Sequence, residues 1–186
     1  MNKIYVFIGA SACGKTTLCT ILAEDYSTVN KVVTDTTRLP RKGEIDKIHY
    51  NFVSEQFFRD NIDCYIEYNE YDGYFYGSNG RRIEKALENG DADCVICLDI
   101  NGAKALKAYY GVQAQIIYVH RDTDKIYTAI DERVANGEIT AEQAEKRKKQ
   151  VLRDIESRND PVIDYEIDNN GEISESVAQL KAIMGI

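Results

Sequence analysis

Ile4-Tyr5-Val6-Phe7-Ile8 runs directly into Gly9-Ala10-Ser11-Ala12-Cys13-Gly14-Lys15-Thr16-Thr17. The five apolar residues read as a buried strand, and Leu18, Ile21 and Leu22 behind the loop carry helical spacing. Between them stands G-x-x-x-x-G-K-[ST], the pattern of a phosphate-cradling loop. Its two glycines permit a tight turn, so the backbone N–H groups of residues 9–17 converge on a polyphosphate. Lys15 supplies a cation for the β- and γ-phosphates, and the Thr16 hydroxyl is placed to bind Mg²⁺. The new helix points the positive end of its dipole at the same anion. The strand before the loop and the helix after it lift the motif above a chance match. The stretch therefore implies a nucleoside triphosphate site built from Gly9, Ala10, Ser11, Ala12, Cys13, Gly14, Lys15, Thr16 and Thr17.

Working outward, strand and helix signals alternate. Strands are expected at 31–34, 92–99, 115–119 and 162–167, and helices at 54–62, 79–89 (closed by Asn89-Gly90), 123–135, 141–158 and around 173–184. Residues 64–77 are tyrosine-rich and broken by Asp72-Gly73, which predicts short antiparallel strands. Alternation of this kind after a phosphate loop specifies a three-layer α/β fold of the P-loop NTPase type with a mostly parallel central sheet. Ligands then sit at the carboxyl ends of the strands, where the loop, the segment after Thr34, and Asp99 all fall.

Composition narrows the function classes. The chain has 186 residues, enough for one domain with an inserted lid or subdomain. A formal net charge of −8 argues against a nucleic-acid partner, which calls for a basic stripe. No apolar stretch approaches the ~18 residues of a membrane span, and the start lacks a signal-peptide layout, so the expected location is cytoplasmic. Five cysteines, odd in number and without metal-type pairing, fit a reducing compartment. Cys94-Val95-Ile96-Cys97 has redox-motif spacing, but strand period two sends those two sulfurs to opposite faces.

A second anion site is legible in Thr34-Asp35-Thr36-Thr37-Arg38-Leu39-Pro40-Arg41-Lys42-Gly43-Glu44. Three cations within five positions follow hydroxyls at a strand end, and arginine forks match phosphate oxygens. This segment resembles the T-T-R-x-P-R-x-G-E signature of guanylate kinases. Tyr50-Asn51-Phe52-Val53, Tyr65-Ile66-Glu67-Tyr68, Gly73-Tyr74-Phe75-Tyr76-Gly77-Ser78, Leu98-Asp99-Ile100 and Asp164-Tyr165 resemble further motifs of that family, in the same order.

The resemblance implies ATP with Mg²⁺ at the first site and GMP or dGMP as phosphoryl acceptor at the second. It divides the chain into a core (1–34, 79–122 and 159–186), a small mixed or antiparallel GMP-binding subdomain (35–78) and a helical lid (about 123–158). Carried over by position, Arg38, Arg41, Tyr50 and Tyr76 hold the acceptor phosphate. Glu67, Ser78 and Thr34 face the guanine, with Asn101 where a base-contacting aspartate is expected. Thr16 and, through water, Asp99 hold the metal. Lys15 and Arg38 serve the transfer, joined by lid arginines, for which Arg133 and Arg147 are the candidates. The implied partners are nucleotides alone, with the chain a monomer or homodimer.

Base reading also follows from chemistry. Guanine offers N1–H and its 2-amino group as adjacent donors, and a carboxylate such as Glu67 only accepts. Several positions depart from the family. Ala10 and Ala12 replace a proline and a glycine of the loop, the segment after Asp99 is shortened, and the lid turn reads Asn136-Gly137-Glu138. Asp35 sets a negative charge beside the acceptor-phosphate segment. Two other readings stay open: a kinase for a different small phosphorylated acceptor, and a non-catalytic module of the same shape.

Overall fold

Strand β1 (Ile4–Ile8) is buried along its whole length and splits its side chains between two cores. Tyr5 and Phe7 enter one, and Ile4, Val6 and Ile8 enter the other, as the period of a pleated strand requires. The computed structural model describes residues 2–41, 43–88 and 92–186. Around β1 the sheet runs β2 (Val29–Lys31), β7 (Asp93–Cys97), β1, β8 (Ala114–His120) and β9 (Tyr165–Asp168), with every pairing parallel. All five carboxyl ends therefore open onto one edge.

Helices cover both faces. Helices α1 (Lys15–Asp25), α5 (Thr123–Ala135), α6 (Ala141–Glu156) and α7 (Ile173–Met184) pack on the Tyr5/Phe7 side through Leu18, Leu22, Ile126, Val151 and Leu180. Helices α3 (Gly80–Glu88) and α4 (Ile100–Tyr110) close the other through Ile83, Ala103 and Leu106. The result is the α/β/α arrangement expected.

A second sheet stands apart, in the order β4 (Asn51–Phe52), β3 (Asp35–Thr36), β6 (Tyr74–Asn79), β5 (Tyr65–Tyr71). It is mixed: β3 and β4 run parallel, while β6 is antiparallel to both β3 and β5. Asp72 and Gly73 both take positive φ, 54° and 77°, and close the β5–β6 hairpin as their pairing predicts. Short helix α2 (Glu55–Asp60), capped by the Ser54 hydroxyl, lays Phe58 onto this sheet. There Phe58 stacks on Tyr65 at 4.2 Å and on Phe75 at 5.3 Å.

Several expectations shift. The strand read at 31–34 ends at Lys31, because after one more ladder bond from Val32 N to Val95 O the chain leaves for the second sheet. The strand read at 162–167 starts three residues late, at Tyr165. Ahead of it, the Asp164 carboxylate is held by Lys107 Nζ and Ile116 N. In the helix expected at 54–62, Phe57 is 42% exposed, and Phe58 alone is buried. Cys94 and Cys97 do diverge, into opposite cores. The helix closure read at Asn89-Gly90 lies outside the described residues. Among the described residues, no helix is long and apolar enough to cross a membrane.

Candidate functional site

The phosphate loop is held from below by the far end of the chain. Asn169, just past β9, donates from Nδ2 to Cys13 O at 2.7 Å, and its own Oδ1 accepts from Ser176 at 2.7 Å. Gly14 sits at φ 104°, and a Cβ there would lie 2.3 Å from Asn169 Nδ2, so only glycine fits. Ala12 stands at φ 64°, the left-handed region that an alanine occupies at a cost. Lys15 Nζ donates to Gly9 O and Ala10 O, both at 2.8 Å, which folds it against the loop it serves. Thr16 and Thr17 begin α1 on its exposed side, whereas Cys13 is fully buried beneath the loop. Arg121, past the end of β8, donates to Ala12 O at 3.3 Å.

In the 34–44 segment the arginine pair divides its work. Arg38 forms a fork with Glu44, at 2.7 and 2.9 Å, and its guanidinium lies 5.5 Å from the Tyr50 ring and 5.7 Å from that of Phe52. Among the described residues its Nε is buried without a partner. Burial opposes its charge, yet hydrogen bonds with Glu44 and Tyr76 raise its pKa; the same Arg38 bond holds Glu44 low against burial. Sequence reasoning assigns Glu44 no role; its signal is its place six residues after Arg38. Arg41 uses its backbone to bind Glu44, and its guanidinium forms no ion pair among the described residues. Tyr50 and Tyr76 meet edge to face at 6.0 Å beside Arg38. Thr36 and Thr37 spend their hydroxyls on Phe75 O and N, which ties the segment to β6.

Asp35 departs from expectation. It is fully buried, and its carboxylate takes Asn51 Nδ2 and the Tyr65 hydroxyl at 2.8 Å each and Arg82 Nε at 2.9 Å. The charge is neutralised by Arg82 of α3, across from the subdomain, rather than turned on the acceptor phosphate.

Glu67, on β5, accepts from Ser78 Oγ at 2.5 Å. Ser78, expected to face the guanine, thus spends its hydroxyl on orienting the Glu67 carboxylate. Burial raises the Glu67 pKa, with the Asp99 charge acting the same way and Ser78 opposing. Gly102 faces the same carboxylate, at 3.2 Å from a would-be Cβ. Thr34 is half-buried between the two sheets, its carbonyl accepting from Asn51 N. Asn101 is exposed on the first turn of α4. Asp99 caps that helix through Gly102 N at 2.8 Å, while its other oxygen accepts from Asn69 at 2.9 Å.

The lid arginines separate. Arg147, on α6, crosses to the phosphate loop and donates to Ser11 Oγ at 3.1 Å. Burial, then the charges of Arg41 and Arg133, push its pKa down. Arg147 thus feels the like charges of Arg41 from the acceptor segment and Arg133 from α5, a repulsion that a bound anion would relieve. Arg133 itself remains loosely paired with Glu138 at 3.9 Å. Arg153 instead lines a groove with Lys146, Tyr71 and Asp72, where lid and hairpin tip meet.

For a divalent cation the donor set is sparse: no group of three acidic, His or Cys side chains converges among the described residues. One exposed hydroxyl, Thr16, and one exposed carboxylate, Asp99, suit Mg²⁺, which keeps several waters and borrows phosphate oxygens.

An all-parallel sheet with the phosphate loop after its central strand, a second sheet carrying paired arginines and a helical hairpin reaching back to the loop define a P-loop kinase of the α/β class. The chain belongs to the guanylate kinase family, whose model matches residues 1–185. A guanylate kinase of Desulfitobacterium hafniense is 32% identical over 183 residues, 97% of this chain and 88% of that protein. One from Helicobacter pylori is 27% identical over 179 residues, 95% and 86% respectively. In fold, the chain is similar to the crystal structure of guanylate kinase from Anaplasma phagocytophilum, with TM-score 0.75 and 22% identity over 99% of this chain and 85% of that one.

Proposed function

We propose that this chain transfers the γ-phosphate of ATP to GMP, giving ADP and GDP, in the cytoplasm. The observation that carries the reading is Arg147, bonded to Ser11 of the phosphate loop while its charge feels Arg41 of the acceptor segment. One guanidinium then serves both anion pockets, as in-line transfer between them demands.

Phosphoryl transfer asks the protein for positioning and charge stabilisation rather than covalent chemistry. The loop amides and Lys15 orient the donor phosphates. Arg41, the Arg38–Glu44 fork and the Tyr50 and Tyr76 hydroxyls aim the acceptor phosphate at the γ-phosphorus. Arg147, with Arg133 behind it, meets the charge that moves between the nucleotides. Thr16 and, through water, Asp99 would hold Mg²⁺, which would supply neutralisation of the donor oxygens. Glu67, held by Ser78, accepts the guanine N1–H and 2-amino protons, with Thr34 and Asn101 at the rim of the base pocket.

A coupled ADP-release assay over GMP, dGMP, IMP, AMP, UMP and CMP tests this. Turnover with GMP that falls steeply for AMP supports it. Equal rates on every acceptor defeat the base-reading part. Tight mononucleotide binding without turnover points to the non-catalytic module.

A further inference from the structure

Cys19 on α1 and Cys97 at the end of β7 lie 78 positions apart, yet their sulfurs stand 3.2 Å from each other, both as free thiols. Cys19 is fully buried, while Cys97 is partly exposed at the edge where the strand ends open. Cys97 lies two residues before Asp99, and Cys19 three residues after Thr16, so it is near the loop-facing turn of α1. Cys97 also shares a side-chain hydrogen bond with Thr16, so the pair adjoins a residue assigned to the metal.

We propose that Cys19 and Cys97 are a reversible oxidative modification site that disables the triphosphate pocket when hydrogen peroxide reaches it. The exposure difference sets the order of events. The Cys97 sulfur attacks the outer peroxide oxygen; its S–O bond forms, the O–O bond breaks, and the thiol proton leaves with the departing hydroxide as water. The Cys19 sulfur then attacks Cys97; the S–S bond forms, the S–O bond breaks, and a second water leaves with the Cys19 proton. Two electrons pass from the two thiols to one peroxide, and a thiol reductant returns them by exchange.

Closing the pair to disulfide length moves the sulfurs together by about 1.2 Å. That pull comes from the helix carrying Lys15 and Thr16 and from the strand leading to Asp99. The cross-link therefore shifts the lysine and hydroxyl against the strand end, and weakened triphosphate binding follows. This last consequence rests on the reading of the loop as the ATP site; the cross-link itself does not.

The test treats the full chain with hydrogen peroxide, digests it without reduction, and measures binding of a fluorescent ATP analogue before and after dithiothreitol. The expected result is a Cys19–Cys97 linked peptide lighter by two hydrogens, with ATP-analogue affinity lowered at least about fivefold, in the range of site-to-site coupling, and restored by the reductant. In Cys19→Ala the resolving thiol is gone, so Cys97 proceeds to sulfinic acid and dithiothreitol no longer reverses the change. A wild-type chain that oxidises elsewhere without the linked peptide overturns the proposal. So does a linked peptide with unchanged analogue affinity, or a Cys19→Ala chain that recovers as fully as wild type. The primary readout uses the unmutated chain and is a mass, so it stands even if GMP turnover is absent.

Discussion

In the proposed function Glu67 sets stability against recognition. Its ionised form would read guanine, while burial raises its pKa and so disfavours that form in the folded state. A carboxyl whose folded pKa is raised stabilises fully below its unfolded value and loses that stabilisation as pH rises through the folded one. At neutral pH wild type therefore carries a penalty that Glu67→Gln removes. We expect this variant to melt slightly higher by calorimetry while its kcat/KM for GMP falls by about two to four decades, the cost of stranding a buried polar partner. The acid limb of kcat/KM for GMP in wild type is expected above the ordinary glutamate value of about 4.3. A limb at or below that value refutes the assignment. Ala12 makes the opposite case: Ala12→Gly relieves its positive φ and should raise stability by about 0.5–1 kcal/mol in urea melts, with ATP affinity retained.

At the scale of elements, two contacts join segments far apart in the chain. Arg147 reaches from α6 to the phosphate loop, and truncating it removes the donor that the proposed transfer uses to stabilise charge. Arg147→Ala should lower kcat about 10²–10³-fold with GMP affinity changed far less. A variant with unaltered kcat would remove α6 from the chemistry. Arg82, on α3, ties the buried Asp35 of β3 to the core-facing helix. Its side chain is 41% exposed, so water screens part of the pair. Arg82→Ala should therefore cost about 1–3 kcal/mol by chemical denaturation, with guanine selectivity unchanged.

For the whole molecule, the proposed transfer requires that two anion pockets open onto a shared space. The net charge is −8, yet Arg147 meets the loop at Ser11 while feeling the charges of Arg41 and Arg133, so the field there runs against the global one. A dinucleotide with adenosine and guanosine at the two ends of one polyphosphate should bind far more tightly than ATP or GMP alone by calorimetry, because the second contact becomes intramolecular. Binding no tighter than that of ATP would mean the pockets do not act together. Lys146 of α6 and Asp72 of the hairpin tip, 3.7 Å apart, mark where the peripheral parts meet.

The amino-acid sequence by itself determines the phosphate loop, which is contiguous and works through backbone amides, so its residue types alone imply its conformation and ligand. Local signals suffice for β1, an unbroken apolar run, for α5 and α7, which bury one face at helical spacing, and for the β5–β6 hairpin, which turns at Asp72-Gly73. Partners chosen across the chain are not legible there: Asn169 under Cys13, Glu44 in the grip of Arg38, Asp35 sealed by Arg82 and Tyr65, Cys19 against Cys97. A pattern of polar and apolar residues says which side of an element turns inward, but not which distant side chain waits there. That is decided only when layers pack, since a buried charge or thiol takes its role from what folding sets within about 4 Å of it.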